Sequence, residues 1–252
     1  MKVKAILFDL FDTLLLVEKG EAFYMPALEK MHQRLVEGGV DVLFEDFRRV
    51  YFEVRDKLYA ESAANMEEPH FNVRISRTLQ SFGYDHDVSH SIVKSATEVF
   101  AEGFMRYVVM DSEATGVLEK LCAGYKLGIV SNFAIPECLD QLVQKFSLAR
   151  FFDVVVISGA VNVRKPSPRI FEMALHALNL NAEEAVFIGD TPTIDVKGAK
   201  NVGMHAILID RESEMKHASE SIIYRFADDG THIEPDKVIH RLSELPMVLE
   251  DC

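Results

Sequence analysis

Short apolar runs alternate with segments of helical periodicity along much of the chain. The apolar runs predict buried strands at residues 4–10, 127–131, 154–158, 185–189 and 206–210. Helical spacing lies between them, at residues 113–123, 135–146, 168–178 and 195–202. Strands that alternate with helices at this spacing are typical of a parallel sheet. The pattern therefore predicts an α/β fold with helices on both faces of the sheet.

Residues 17–109 follow a different pattern, because helical spacing continues there without strands. Leu28, Met31 and Leu35 are three and four residues apart, and similar spacing recurs up to residue 104. We predict about four helices, inserted as an all-helical domain at 17–109 between the first strand and the rest of the sheet. The α/β core would then comprise residues 1–16 and 110–252.

The end of the chain carries two further predictions. Asp228, Asp229 and Gly230 are turn-forming residues. Residues 235–245 follow them and are predicted to form a terminal helix.

Charge and composition narrow the range of partners. The 252 residues include 27 Lys and Arg against 40 Asp and Glu, for a net charge of −13, and 48% of them are hydrophobic. Such an acidic chain is not expected to bind nucleic acid or an anionic membrane, since both attract excess Lys and Arg. Its three cysteines are spread widely, which disfavours a disulfide framework or a zinc site and favours a cytoplasmic protein.

Polar residues follow the predicted strands in four motifs. The motifs are Phe8-Asp9-Leu10-Phe11-Asp12-Thr13-Leu14, Val130-Ser131-Asn132, Arg164-Lys165-Pro166-Ser167-Pro168 and Gly189-Asp190-Thr191-Pro192-Thr193-Ile194-Asp195. Each motif alone is weak evidence, and Asp195 could simply be the N-cap of the next helix. Together they are stronger, because loops at the carboxyl ends of parallel strands converge. The sequence therefore predicts one site that combines carboxylates, a hydroxyl group and a lysine.

In this order the four motifs resemble those of the haloacid dehalogenase-like hydrolase superfamily. The resemblance extends over nearly the whole chain. It includes the helical insertion, which is similar to the cap that the superfamily places just after its first motif. The resemblance implies a Rossmann-like core, a helical cap, hydrolase activity and a small-molecule substrate that carries a phosphate group.

The resemblance also implies a nucleophile and a metal site. Asp9 would form a covalent aspartyl intermediate that water then hydrolyses. Mg²⁺ would neutralise charge between this carboxylate and a phosphate dianion, and it needs few protein ligands. Those ligands would be Asp9, the main-chain carbonyl of Phe11 and Asp190.

The remaining motif residues would bind the phosphate or position its ligands. Ser131 would donate a hydrogen bond to a phosphoryl oxygen, with Asn132 beside it. Lys165 would supply positive charge where the transition state gathers negative charge. Thr13 would support the first loop, and Asp195 would orient Lys165 or a metal-bound water.

One position departs from the pattern of the superfamily's phosphatases. They usually carry a second Asp two residues after the nucleophile, which protonates the leaving oxygen and then activates water. Here that residue is Phe11. Since general acid–base catalysis contributes about 10²–10⁴-fold, its loss should matter least for good leaving groups such as acyl or aryl phosphates.

Three functions stay open. The first is a Mg²⁺-dependent phosphatase in which Asp12 or a cap residue acts as the acid. The second is a carbon–halogen hydrolase, since dehalogenases carry an aromatic residue at the position of Phe11 and a halide leaves without a proton. The third is a phosphate- or metal-binding protein with little turnover.

The residues themselves favour the first function. The dehalogenases lack a metal-binding acid in the fourth motif, whereas Asp190 is present here. They also bind the substrate carboxylate through a cap arginine, and the cap offers several candidates. These candidates are Arg48, Arg49 and Arg55. Neither the particular substrate nor the oligomeric state follows from the sequence.

Overall fold

The core of the protein is a six-stranded parallel sheet. The computed structural model describes residues 3–18, 20–211 and 233–250. The strands in these ranges are β1 (Ala5–Phe8), β2 (Leu15–Val17), β3 (Val108–Met110), β4 (Lys126–Ser131), β5 (Val154–Ile157), β6 (Ala185–Gly189), β7 (His205–Ile209) and β8 (Lys237–Ile239). The order in the sheet is β5-β4-β1-β6-β7-β8, while β2 and β3 form a separate antiparallel pair. The predicted α/β fold is thereby confirmed.

Within the described ranges, four helices belong to the insertion and six to the core. They are α1 (Tyr24–Glu37), α2 (Phe44–Ser62), α3 (Phe71–Ser81), α4 (Ser91–Met105), α5 (Ala114–Leu121), α6 (Pro136–Lys145), α7 (Ser158–Val161), α8 (Pro168–Leu178), α9 (Lys197–Val202) and α10 (Leu245–Glu250). No helix in the described part of the chain is long and apolar enough to cross a membrane.

Strand β1 lies in the middle of the sheet and is buried on both faces. Ile6 and Phe8 belong to a hydrophobic cluster that includes buried side chains of α5 and α6. Ala5 and Leu7 belong to a second cluster, which includes buried side chains of α8 and α9. This division follows from the alternation of side chains along a strand. The predicted helices on both faces are therefore present, and they explain why the strand reads as a continuous apolar run.

Helices α1 to α4 form the cap, in which α1 packs against α4 and α2 against α3. Gly103 permits a close approach of α4 to α1, since a Cβ atom there would lie 2.7 Å from the Cβ of Ala27. The chain enters and leaves the cap through the β2–β3 pair, where Leu15 lies opposite Met110 and Val17 opposite Val108. The boundaries proposed at 16/17 and 109/110 thus fall inside these two strands.

The predicted terminal helix at 235–245 is wrong. The structure has strand β8 there, then a 3₁₀ turn at Leu242–Glu244 and helix α10. Val238, Leu242 and Leu245 have helical spacing, but Val238 is 47% exposed while Ile239 is fully buried beside β7. Pairing with the open edge of the sheet therefore outweighed local periodicity. The turn predicted at 228–230 lies outside the described residues.

Candidate active site

Three neighbouring strands bring the predicted site residues together. Asp9 follows β1, Ser131 ends β4 and Asp190 follows β6, and β4, β1 and β6 are adjacent in the sheet. Lys165 comes from the loop that precedes α8. These four residues line one cavity of about 310 Å³ between the core and the cap, and Phe11, Asp12, Asn132 and Asp195 line it with them. The roles assigned to these residues stay predictions.

Lys165 joins two of the carboxylates. Its side chain is 2% exposed. Its Nζ lies 2.6 Å from Asp9 Oδ1 and 2.7 Å from Asp195 Oδ1. Burial alone would lower the pKa of Lys165, but the two carboxylates raise it above its usual range. Lys165 is therefore held as a cation beside the predicted nucleophile.

Asn132 holds the backbone of Lys165 in place. The Lys165 N–H donates to Asn132 Oδ1 at 2.7 Å, and Asn132 Nδ2 donates to the Lys165 carbonyl at 3.0 Å. Its carboxamide is thus engaged in positioning the lysine. A contact of Asn132 with phosphate stays a prediction.

Asp195 is buried and faces inward from a π-helical turn at Pro192–Val196. Its Oδ2 accepts a hydrogen bond from the Thr191 N–H at 3.0 Å. The N-cap of α9 is Val196, so Asp195 does not cap that helix. Gly189 gives Asp195 room, because a Cβ atom at Gly189 would lie 2.4 Å from Asp195 Oδ2. The geometry agrees with the predicted role of orienting Lys165.

Asp9, Asp190 and Asp195 form a group of carboxylates that could hold a metal ion. Each offers an oxygen, and these oxygens lie within 4.8 Å of one another. Burial, followed by the repulsion of Asp195, raises the pKa of Asp9 to about 7 against the opposing effect of Lys165. Burial and the charges of Asp195 and Asp9 raise that of Asp190 well above its usual range. Lys165 is the cation that pairs with these carboxylates, so the group of three carries more negative than positive charge when ionised. Carboxylate oxygens are ligands that Mg²⁺ prefers.

Two buried hydroxyl groups have no partner within the described residues. Thr13 and Ser131 are fully buried, and their Oγ atoms form no hydrogen bond there. An unsatisfied buried hydroxyl costs about 1–3 kcal/mol, so such groups are candidates for contacts with a ligand. Ser131 lines the cavity, as a phosphate ligand must, whereas Thr13 is not among the residues that line it.

Arg211 holds the first loop in place, although it belongs to none of the four sequence motifs. Its Nη2 donates to the Thr13 carbonyl at 2.8 Å and its Nε to the Asp12 carbonyl at 3.1 Å, while Nη1 lies 2.7 Å from Asp111 Oδ2. Asp12 has a φ of 55°, a conformation that Asp tolerates better than most residues. Its Oδ1 accepts from the Val17 N–H at 3.2 Å. The Asp12 carboxyl group is thus engaged within its own loop.

Aromatic side chains form the wall of the cavity around Phe11. The Phe11 ring lies 5.0 Å from that of Phe133 and 5.3 Å from that of Phe104, measured between ring centres. Phe71 and Phe100 extend this wall into the cap. The side chain that stands in place of the usual acid is therefore part of an apolar surface.

Two buried charged residues of the cap, Glu68 and Arg74, also line the cavity. Arg74 donates to Tyr59 Oη at 3.0 Å and to Tyr51 Oη at 3.2 Å, and its Nε has no partner within the described ranges. Glu68 is 3% exposed. Neither residue was predicted from the sequence, because no motif distinguishes them from the many surface charges of the helical cap.

The cap arginines proposed from the sequence lie elsewhere. Arg48 pairs with Glu45 on the surface of α2, and Arg49 pairs with Asp46 and Glu53 there. Arg55 pairs with Asp56. None of the three lines the cavity, whereas Arg74 does.

Comparisons with known proteins agree with this fold. A family model for haloacid dehalogenase-like hydrolases matches residues 3–203, and a HAD-hydrolase-like model matches residues 162–245. A glyceraldehyde 3-phosphate phosphatase from Pyrococcus abyssi is 33% identical over 206 residues, which cover 81% of this chain and 80% of the relative. The chain therefore belongs to the haloacid dehalogenase-like hydrolases.

Two solved structures extend the comparison. A 2-haloacid dehalogenase from Pseudomonas syringae pv. tomato DC3000 superposes with a TM-score of 0.71 at 25% identity and covers 99% of both chains. A HAD phosphatase from Thermococcus onnurineus superposes with a TM-score of 0.63 at 25% identity and covers 98% of both. The family match identifies the protein as a hydrolase, and these relatives include both phosphatases and a dehalogenase.

Proposed function

We propose that this hydrolase is a Mg²⁺-dependent phosphatase that acts on small phosphate esters or acyl phosphates. Asp9 forms an aspartyl-phosphate intermediate, and Phe11 replaces the usual acid. The observation that carries the proposal is the contact of buried Lys165 with Asp9 inside a group of three carboxylates. The relative from Pyrococcus abyssi, a glyceraldehyde 3-phosphate phosphatase, supports a small phosphorylated substrate.

The residues of the site divide the chemistry among them. Asp9 attacks phosphorus, and Lys165 stabilises the negative charge that gathers on the phosphoryl oxygens. The Ser131 hydroxyl group, which has no partner within the described residues, donates a hydrogen bond to one of these oxygens. Asp195 holds Lys165 in place, and Arg211 fixes the loop that carries Thr13. Asp9, Asp190 and the Phe11 carbonyl would hold Mg²⁺, which supplies charge neutralisation between the nucleophile and the phosphate.

Removal of metal should abolish turnover. We expect hydrolysis of p-nitrophenyl phosphate to stop when EDTA is added, because without metal the carboxylates of Asp9, Asp190 and Asp195 repel the phosphate dianion. Excess MgCl₂ should restore the rate, measured as release of nitrophenolate. Addition of EDTA already saturated with Mg²⁺ is the control. Activity that persists in EDTA would contradict a metal site at Asp9 and Asp190.

A carbon–halogen hydrolase is the second candidate function. Phe11 is aromatic, and the solved structure of a 2-haloacid dehalogenase covers 99% of this chain. Asp190 argues against this function, because a carboxylate beside the nucleophile attracts a cation and repels a departing halide anion.

Halide release separates the two functions. We expect 2-chloropropionate to yield no chloride in a preparation that hydrolyses p-nitrophenyl phosphate, because Asp190 and Asp195 place negative charge beside Asp9 and would repel the substrate carboxylate. Chloride and phosphate should be measured side by side, with and without Mg²⁺. Chloride release that exceeds phosphate release and needs no metal would reverse the assignment. If neither substrate turns over and calorimetry detects phosphate or Mg²⁺ binding, the protein is a binding protein instead.

A further inference from the structure

The position that carries the acid in the superfamily's phosphatases holds Phe11, which has no proton to transfer. Asp12 also lines the cavity, but its Oδ1 accepts a hydrogen bond from the Val17 N–H at 3.2 Å and its backbone is held by Arg211, so the side chain is tied to the first loop. Lys165 is held as a cation between two carboxylates. A carboxyl group from another part of the cavity wall would complete the chemistry.

The cap segment that carries Glu68 is bound to the loops of the core. The Arg164 N–H donates to the Met66 carbonyl at 2.8 Å, and Arg164 Nη1 donates to the Glu67 carbonyl at 2.7 Å. On the other side of Glu68, the Phe71 N–H donates to the Ala134 carbonyl at 2.9 Å. Arg164 precedes Lys165, and Ala134 lies shortly after Ser131. Glu68 is therefore held between the two loops that carry the predicted phosphate ligands.

The Glu68 carboxyl group is buried and available. It lines the same cavity as Asp9, and it forms no hydrogen bond or ion pair shorter than 4.0 Å with the residues that the structure describes. Burial raises its pKa, while the charges of Arg164 and Arg74 oppose that rise. Tyr59 is a further titratable group near it. A buried carboxyl group whose pKa is raised holds its proton more readily than an exposed glutamate, and its place in the cavity wall allows it to exchange that proton with a bound substrate.

We propose that Glu68 is the general acid and base of this enzyme and replaces the acid that is missing at Phe11. The proposal rests on the phosphatase function. In the first step Asp9 bonds to phosphorus, the bond to the leaving oxygen breaks, and that oxygen takes the Glu68 proton. In the second step water attacks phosphorus, its proton passes to the Glu68 carboxylate, and Asp9 leaves as a carboxylate. Glu68 is then protonated again.

A pair of substrates tests this role through the leaving group. p-Nitrophenolate leaves readily without a proton, whereas the alkoxide of 2-phenylethyl phosphate does not. We expect Glu68→Gln to lower kcat/KM for 2-phenylethyl phosphate by about 10²–10⁴-fold, and that for p-nitrophenyl phosphate by less than about tenfold. Glu67→Gln, at the neighbouring residue, should change neither. Equal losses on both substrates would show that Glu68 serves only to balance the charges of Arg164 and Arg74.

The Phe11 position gives a rescue experiment. An Asp at position 11 should be redundant while Glu68 is present, so Phe11→Asp alone should raise alkyl ester turnover by less than about threefold. In the Glu68→Gln background the same change should recover at least about tenfold of the lost rate. A large gain from Phe11→Asp in the unaltered chain would overturn the proposal without any substitution at Glu68. It therefore remains a test even if Glu68→Gln fails to fold.

The two proposals fail in different ways. If the unaltered enzyme hydrolyses neither ester in Mg²⁺, the phosphatase function is wrong. If it hydrolyses both and Glu68→Gln retains the ratio of their rates, the phosphatase function stands and the role of Glu68 is wrong.

Discussion

Replacement of Asp9 by Asn should reduce phosphate ester turnover by about 10⁴-fold or more, because the amide oxygen is a poor nucleophile and cannot form the aspartyl-phosphate. The carboxylate also accepts the contact from Lys165 Nζ at 2.6 Å, so the substitution weakens the positioning of that cation as well. The side chain keeps its shape, and one charge leaves a crowded acidic group. We therefore expect the melting temperature to stay the same or rise.

The measurement is a single-turnover assay together with intact-protein mass spectrometry after an acid quench. The unaltered enzyme should show a mass increase of one phosphoryl group, and the Asp9→Asn variant should show none. Asp140→Asn, at an exposed position on α6, is the matched control and should behave as the unaltered enzyme. Substantial turnover by Asp9→Asn would remove the covalent mechanism, whatever the fate of the metal site.

Much of the core could be predicted because strands that are buried on both faces appear in the sequence as continuous apolar runs. β1 is apolar on both faces since helices cover both, and the polar residue that follows it marks the edge where the loops meet. Asp9, Ser131 and Asp190 could be placed together because parallel strands carry their carboxyl ends to one edge. Lys165 is less local, since its position depends on Asn132 and on the loop before α8.

The cap side of the site could not be predicted in the same way. Helical periodicity shows which face of a helix is buried, but not which buried face lines a cavity. Arg74 and Glu68 have no sequence signal that separates them from the surface charges of Arg48 and Arg49. Their burial results from contacts between distant segments, such as that of Arg164 with the Glu67 carbonyl. The wrong prediction of a helix at 235–245 has a similar origin. Residues with helical spacing form strand β8 there because they pair with β7 at the edge of the sheet.

Replacement of Lys165 by Met should remove both activity and stability. The lysine is 2% exposed and lies within 2.7 Å of carboxylate oxygens of both Asp9 and Asp195. Loss of one partner from a buried ion pair costs about 3–5 kcal/mol, because the remaining charges are left buried without compensation. For a chain of this size such a loss lowers the melting temperature by about 10 °C. Turnover should fall by at least about 10²-fold, since Lys165 stabilises charge in the transition state.

The effect of Mg²⁺ on the melting temperature of Lys165→Met should show whether the instability comes from lost charge or from lost packing. If the instability comes from uncompensated carboxylates, Mg²⁺ bound at Asp9 and Asp190 will supply part of the missing charge and raise the melting temperature of Lys165→Met more than that of the unaltered enzyme. Activity will not return, because the cation that faces the phosphoryl oxygens is still absent. Lys57→Met, whose lysine is 75% exposed beside Glu61, is the control and should change stability by less than about 1 kcal/mol. A Lys165→Met variant that is as stable as the unaltered chain, and indifferent to Mg²⁺, would show that the three carboxylates do not carry the charge assigned to them.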